Sequence, residues 1–337
     1  MRLGMVGTDL LHALEYAALI NSPDSDAPAK PVVDHGAAVG GMPQPSHLRP
    51  DAWDPAPTTG RDLRRDPAFG DARVVSWWGQ DAQQAQLWAR RAGVETVAAT
   101  NHDQAHAVDA ALICTWHGQD HAALARPYLA AGKPVFIDKP LTESAPEAAD
   151  LAALAERNGT FLFTSSPWRW SPAVVGLRED LHELGELCAC AVTGPDLHGP
   201  YFYTVHLVET ALSLFGPGVT SVRAVETPRA RVVIASYPDG RVLTLTGVKG
   251  SAALRNVTVT GSRGQLGCDV TDAQKDAGMV LLLRTFLQSV RTQRAPEPHA
   301  AAIETVAVLD AAAVSATKGG TPVEVALDGV LGRGNDR

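Results

Sequence analysis

Residues 131–141 read Ala-Gly-Lys-Pro-Val-Phe-Ile-Asp-Lys-Pro-Leu. After a Gly turn, the apolar run Val135-Phe136-Ile137 reads as a short buried strand, and it ends in Asp138-Lys139-Pro140. If the strand belongs to a parallel sheet, Lys139 lies at the carboxyl edge, where open α/β folds bind their ligands. Pro140 would fix the chain direction there and admits a cis bond. A lysine so placed can hold a substrate hydroxyl and tune its proton.

The flanking sequence supplies that sheet. Upstream, Arg2–Gly7 reads as a strand entering a Gly turn, and Leu10–Ile20 carries apolar residues at helical spacing. Pro31–Val39 reads as a second strand ending at Gly40-Gly41, and residues 42–71 as a long Pro-rich surface loop with little regular structure. Further strands are expected at 73–77, 94–99, 109–115 and 160–164, with helices at 81–92, 119–131 and 144–158. Strand and helix in alternation predict a doubly wound parallel α/β domain over residues 1–140.

After Trp170 the rhythm changes. A helix near 172–184, a strand at 186–193 and a helical segment at 201–215 precede five runs rich in Val, Thr and Leu, at 219–226, 230–237, 241–248, 254–261 and 265–271. Turn chemistry at Pro238-Asp239-Gly240 and Gly261-Ser262-Arg263-Gly264 predicts hairpins, hence an antiparallel meander in one large open sheet. Helices near 276–293 and 299–318 close an α+β domain over 141–337. A second subunit is the cheapest cover for such a sheet.

Composition narrows the function classes. With 337 residues, two domains are expected. A net charge of −8 argues against a surface built for nucleic acid or anionic lipid. No uncharged apolar run reaches the length of a membrane helix, and a strand beginning at Arg2 leaves no room for a signal peptide, so a cytoplasmic protein is expected. Cys114, Cys188, Cys190 and Cys268 show no metal spacing and read as reduced apolar filler; no metal is expected.

Two further segments bear chemistry. In Tyr201–Glu209, His206 and Glu209 stand three apart, on one helical face, and a histidine suits acid–base work near neutrality. In Ser165-Ser166-Pro167-Trp168-Arg169-Trp170, an arginine between tryptophans could clamp a carboxylate or stack on a sugar ring. If it faces a pocket, a sugar acid such as a uronate is favoured over a neutral polyol.

Together these segments resemble the glucose–fructose oxidoreductase/inositol dehydrogenase/rhizopine-catabolism (Gfo/Idh/MocA) family. Residues 131–141 resemble its AGKHVxxEKPL segment, Thr115–His121 stands where its TPNxxH loop lies, and Tyr201–Glu209 resembles its DxxxHxxD helix. The resemblance implies a Rossmann domain carrying NAD or NADP and a second domain whose sheet pairs subunits into a homodimer or homotetramer. It also implies reversible oxidation of a secondary alcohol on a sugar, inositol or related polyol. Lys139 would polarise the reacting hydroxyl and His206 would be the acid/base. Gly7, Thr8, Asp9, Leu10, Thr115, Trp116, His117, His121, Asp138, Lys139 and Pro140 would face the cofactor. Lys139, Trp168, Arg169, Tyr203, His206 and Glu209 would face the substrate.

Two departures qualify the resemblance. The glycine fingerprint keeps only Gly7; Asp9 and His12 stand at its second and third positions. A carboxylate at Asp9 would repel a pyrophosphate unless it turns away, whereas His12 reads as an ordinary first-turn residue. No acid for a ribose 2′-hydroxyl stands at Val39–Gly41. Phe202 replaces the aspartate four residues before the histidine, leaving Tyr201 or Tyr203 as possible hydroxyl donors. A subgroup with a GLDTSH-like turn, an IDKPL strand, an SSxxRF segment and a YGIHxVE helix resembles Gly7–His12, Ile137–Leu141, Ser165–Trp170 and Tyr203–Glu209. Beside the dehydrogenase reading stand a non-catalytic ligand-binding or regulatory protein and a redox-neutral lyase or hydrolase using the cofactor transiently.

Overall fold

The structure is a computed structural model that describes residues 1–21, 69–196, 199–250, 254–325 and 327, and the backbone of 30–33 and 48–54. The chain forms two compact units: residues 1–138, 150–164 and 280–297 make the first, and 139–149, 165–279 and 298–337 the second. The strand expected at 160–164, beyond the domain boundary set at residue 140, is hydrogen-bonded into the first sheet.

In the first unit, β1 (Arg2–Val6) leads to α1 (Leu11–Asn21), and a separate hairpin pairs β2 (Lys30–Val33) with β3 (Leu48–Asp54). There follow β4 (Arg73–Trp78), α2 (Ala82–Arg91), β5 (Thr96–Val97), α3 (Asn101–Ala107), β6 (Ala110–Ile113), α4 (Gly118–Ala130), β7 (Val135–Ile137), α5 (Ala145–Arg157) and β8 (Leu162–Thr164). The main sheet has the order β5-β4-β1-β6-β7-β8, and every pairing in it is parallel. All four residues of β6 and all three of β7 are buried, as a parallel sheet with both faces covered requires. Phe136 of β7 packs within 6 Å of the Tyr16, Phe163 and Phe286 rings.

This order corrects two expectations. The strands beside β1 are β4 and β6, and among the described residues β2 pairs with β3; residues 34–47, and with them Gly40-Gly41, lie outside the described residues. Residues 48–54, expected as loop, form a strand. Short helix α3 was not foreseen. Its sequence Asn-His-Asp-Gln-Ala-His-Ala has no apolar period, and its signal is the N-cap Thr100, which accepts from the Asp103 amide.

The second unit contains α6 (Pro172–Asp180), β9 (Leu187–Pro195), α7 (Val205–Phe215), β10 (Ser221–Glu226), β11 (Ala230–Ser236), β12 (Val242–Val248), β13 (Asn256–Gly261), β14 (Gly264–Asp269), α9 (His299–Thr317) and β15 (Val323–Glu324), with α8 (Asp272–Thr292) running from the second unit into residues assigned to the first. The five expected runs appear as β10–β14. Their order, β14-β13-β9-β12-β11-β10-β15, shows what hairpin spacing could not: β9 inserts between β12 and β13, parallel to the former and antiparallel to the latter. Helix α9 is long and apolar enough to cross a membrane by length and composition. Its composition reflects burial: Val308, Leu309, Ala311 and Ala312 pack in this unit's core, and its Glu304 accepts from the Gly218 and Val219 amides. All four cysteines are unpaired; Cys114 and Cys190 are buried, but Cys188 is exposed and therefore not core filler.

Candidate functional site

In the first unit the carboxyl edge is drawn tight around Gly7. Its φ is +128°, and a Cβ there would fall 2.0 Å from the Cys114 carbonyl oxygen, so β1's turn can approach the end of β6 only as glycine. Thr8 is buried against Gly79, where a Cβ would fall 2.0 Å from the threonine methyl; Leu10 is buried too. Asp9 has as neighbours the Trp116 amide and the His117 and His121 imidazoles. Burial raises its carboxyl above the usual range, and those neighbours offset the effect in part. His121 is fully buried, with Nε2 3.3 Å from the Thr115 carbonyl; Trp116 is half-buried and His117 exposed.

His12 is not an ordinary first-turn residue. Its Nδ1 lies 3.0 and 3.1 Å from the two oxygens of Asp138, a fully buried carboxylate that also accepts from the Tyr16 hydroxyl at 3.3 Å. The third position of the glycine turn thus carries an imidazole engaged with the residue that closes β7. Burial, then the Asp138 charge, push the Tyr16 hydroxyl well above its usual range. Beside β1, the residues after β4 are Gly79-Gln80-Asp81; Asp81 caps α2, accepting from Gln83 and Gln84 at 2.9 Å each. An acid therefore does follow the second strand position, at Asp81 and not at 39–41.

The second unit holds Lys139 and His206. The Lys139–Pro140 bond is cis. Lys139 is 2% exposed; its Nζ donates to the Phe202 carbonyl at 3.1 Å and sits 3.7 Å from the centre of the Phe202 ring. The residue in the aspartate position therefore meets the lysine with an aromatic face in place of a charge. Residues 200–204 form a π-helical turn that leads into α7. His206 and Glu209, both buried, share one face of α7 and meet the same loop. Ser166 Oγ lies 2.7 Å from His206 Nδ1, while Glu209 Oε2 accepts from the Ser166 amide at 2.6 Å and from the Ser165 hydroxyl at 3.2 Å.

Aromatic rings enclose the imidazole. Trp168 stacks on it at 4.7 Å between centroids, 12° from parallel, and Tyr203 meets it edge-on at 5.9 Å. Arg255, unnoticed in the sequence, lies 5.4 Å over Trp168. Arg169 stands 4.0 Å from Glu209 and 5.5 Å over Trp170, so part of its charge is answered internally, which weakens the case for a carboxylate clamp. Of the hydroxyls weighed from the sequence, that of Tyr201 donates to Asp310 at 2.5 Å, and Ser166 Oγ is the hydroxyl found 2.7 Å from His206 Nδ1. A Ser-Ser pair forty residues upstream carried no local signal of that partnership.

A dinucleotide cofactor fits the first unit. Gly7 provides the close backbone approach, and the Thr115 hydroxyl is buried at the same strand edge with its Oγ1 lacking a protein hydrogen-bond partner. Residues 58–166 match the model of the GFO_IDH_MocA family, described as oxidoreductase family, NAD-binding Rossmann fold. The chain is 34% identical over 119 residues to trans-1,2-dihydrobenzene-1,2-diol dehydrogenase of Oryctolagus cuniculus, covering 34% of this chain and 36% of that protein. It thus spans about a third of the length of that curated relative. Its fold matches that of GenD2 from gentamicin A biosynthesis in complex with NAD (TM-score 0.74, 18% identity, 96% of each chain). It also matches a myo-inositol dehydrogenase from Corynebacterium glutamicum (TM-score 0.71, 15% identity, 97% of this chain and 99% of that one). Residues 58–166 thus resemble the NAD-binding Rossmann domain of the GFO_IDH_MocA oxidoreductase family, and the full length shares the fold of these two proteins.

Proposed function

We propose that the protein is an NAD-dependent oxidoreductase acting on a secondary alcohol of a sugar, inositol or related ring diol. The observation that carries this reading is the pairing of a buried lysine with a buried histidine at one segment: Lys139 binds the Phe202 carbonyl, and His206 begins the next turn. The bound nicotinamide would supply the hydride acceptor. Lys139 holds the alcohol oxygen and stabilises the negative charge growing on it, while His206 accepts the hydroxyl proton at Nε2 as the carbonyl forms. In reduction the same proton returns. Half-buried Tyr203 offers aromatic surface suited to the apolar face of a ring substrate.

Two observations support NAD over NADP. The acid after the second strand position, Asp81, would repel a 2′-phosphate, and Gly79–Gln84 contains no arginine or lysine to receive one. The diol and inositol dehydrogenases among the similar proteins support the substrate class.

The test is a screen of inositols, aldoses and uronates with NAD, followed as NADH absorbance, on wild type, Lys139→Met and His206→Asn. Turnover of one ring alcohol, lost in both variants, is expected. Turnover unchanged in both variants would remove the assignment. The ties between Lys139 and Phe202 favour a second reading, a ligand-binding protein without turnover; NADH binding with no alcohol oxidised across the screen would select it.

A further inference from the structure

His206 hangs from a hydroxyl. Ser166 is fully buried, and its Oγ makes two contacts: it accepts from the Trp168 amide at 3.1 Å and meets His206 Nδ1 at 2.7 Å. The backbone on both sides of that hydroxyl is fixed. The Ser166 amide donates to Glu209 Oε2 at 2.6 Å, the Ser165 hydroxyl reaches the same oxygen at 3.2 Å, and Trp170 Nε1 donates to Ser165 Oγ at 2.8 Å. Since Glu209 lies one turn beyond His206 on α7, one helix carries both the imidazole and the carboxylate that holds the loop facing it. Stacking on Trp168 restricts tilting of the imidazole plane, and the hydrogen bond at Nδ1 directs that ring edge to the loop.

We propose that Ser166 is the positioning residue for His206: its hydroxyl holds Nδ1, and Nε2 becomes the atom that exchanges a proton with the substrate. Residue 202, being phenylalanine, cannot do this, and its ring is occupied with Lys139. A hydroxyl differs from a carboxylate in one chemical respect. It can accept from Nδ1–H or donate to a bare Nδ1, and it brings no negative charge, so the contact survives either state of the ring without favouring the imidazolium. Glu209 acts one step away, accepting from the loop's amide and hydroxyl with Arg169 4.0 Å off. The proton's destination in this account rests on the oxidoreductase reading; the hydrogen bond does not.

The test uses the full chain labelled with 15N-histidine, observed in long-range proton–nitrogen correlation spectra without cofactor or substrate. His206 is assigned by its absence from His206→Asn. Ser166→Thr, which keeps the hydroxyl, is expected to hold both ring nitrogens at their wild-type positions, whereas Ser166→Ala displaces Nδ1. His182, whose Nδ1 meets the Glu179 carbonyl at 2.8 Å, reports that the unit is folded and should not move. If the alanine variant does not fold, Ser166→Cys takes its place, its weak thiol giving the same displacement. On an alcohol the enzyme accepts, Ser166→Ala should lower kcat on the order of 10²-fold, as misplacement of a reacting group does, with KM little changed and threonine restoring the rate. Unmoved His206 nitrogens in Ser166→Ala, or a threonine variant that behaves like alanine, would overturn the proposal. Because the spectra require no turnover, failure of the dehydrogenase reading and failure of the Ser166 assignment give different results.

Discussion

Replacing Phe202 by leucine removes the aromatic face on which the Lys139 ammonium rests, yet leaves the backbone carbonyl that Lys139 also binds. The two contacts can therefore be separated. The ammonium is 3.7 Å from the ring centre, and the two residues are 2% and 8% exposed, so this cation–π contact belongs to the desolvated class worth about 2 kcal/mol. Leucine also fills the site less well, an independent loss common to any background. A double-mutant cycle with Lys139→Met, which keeps most of the lysine stem, cancels that loss. Urea unfolding of the four proteins should give a coupling of about 1–2 kcal/mol between positions 139 and 202. Additive effects would refute the reasoning, for then the ring is only packing and the lysine is held by the carbonyl alone.

The Asp9 carboxyl is raised by burial, so the folded state favours its protonated form: it contributes stability below the unfolded value near 3.8, lost as pH rises through the folded value. Asp9→Asn should therefore be more stable than wild type at pH 7, with the gain disappearing in acid, as thermal melts across pH would show; NADH affinity should rise with the negative charge gone. Asp81→Ala removes the α2 cap, at a cost of about 1 kcal/mol in urea unfolding. The same variant should narrow the preference for NADH over NADPH in binding titrations; a preference unchanged by the loss of Asp81 would leave the cap as that residue's whole role.

Much of the fold is legible locally. Hairpins β11–β12 and β13–β14 follow from turn residues between alternating strands, and β7 with its Asp-Lys-Pro ending follows from one apolar run. What failed depends on pairing over distance. The residues between α1 and β4 contain a strand-like run that pairs into its own hairpin, so the nearest candidate for the second sheet position was the wrong one. Nothing local in β9 says that it will separate β12 from β13.

The candidate site divides in the same way. Residue types and helical spacing bring out Lys139, His206 and Glu209. Their partners were hidden: Phe202 reads as a lost carboxylate until its ring is seen under Lys139, and Ser166 is tied to His206 only through the fold. His12 reads as a damaged glycine motif, yet it is the half-buried partner of a buried carboxylate 126 residues away.

Calorimetric titration of the full chain with NAD, NADH, NADP and NADPH tests the central claim most directly. The account predicts micromolar binding of NADH, with NADPH at least about tenfold weaker, a difference of 1.4 kcal/mol. Absence of binding heat for all four dinucleotides up to millimolar concentration would contradict it, leaving Lys139 and His206 as parts of a pocket for some other ligand.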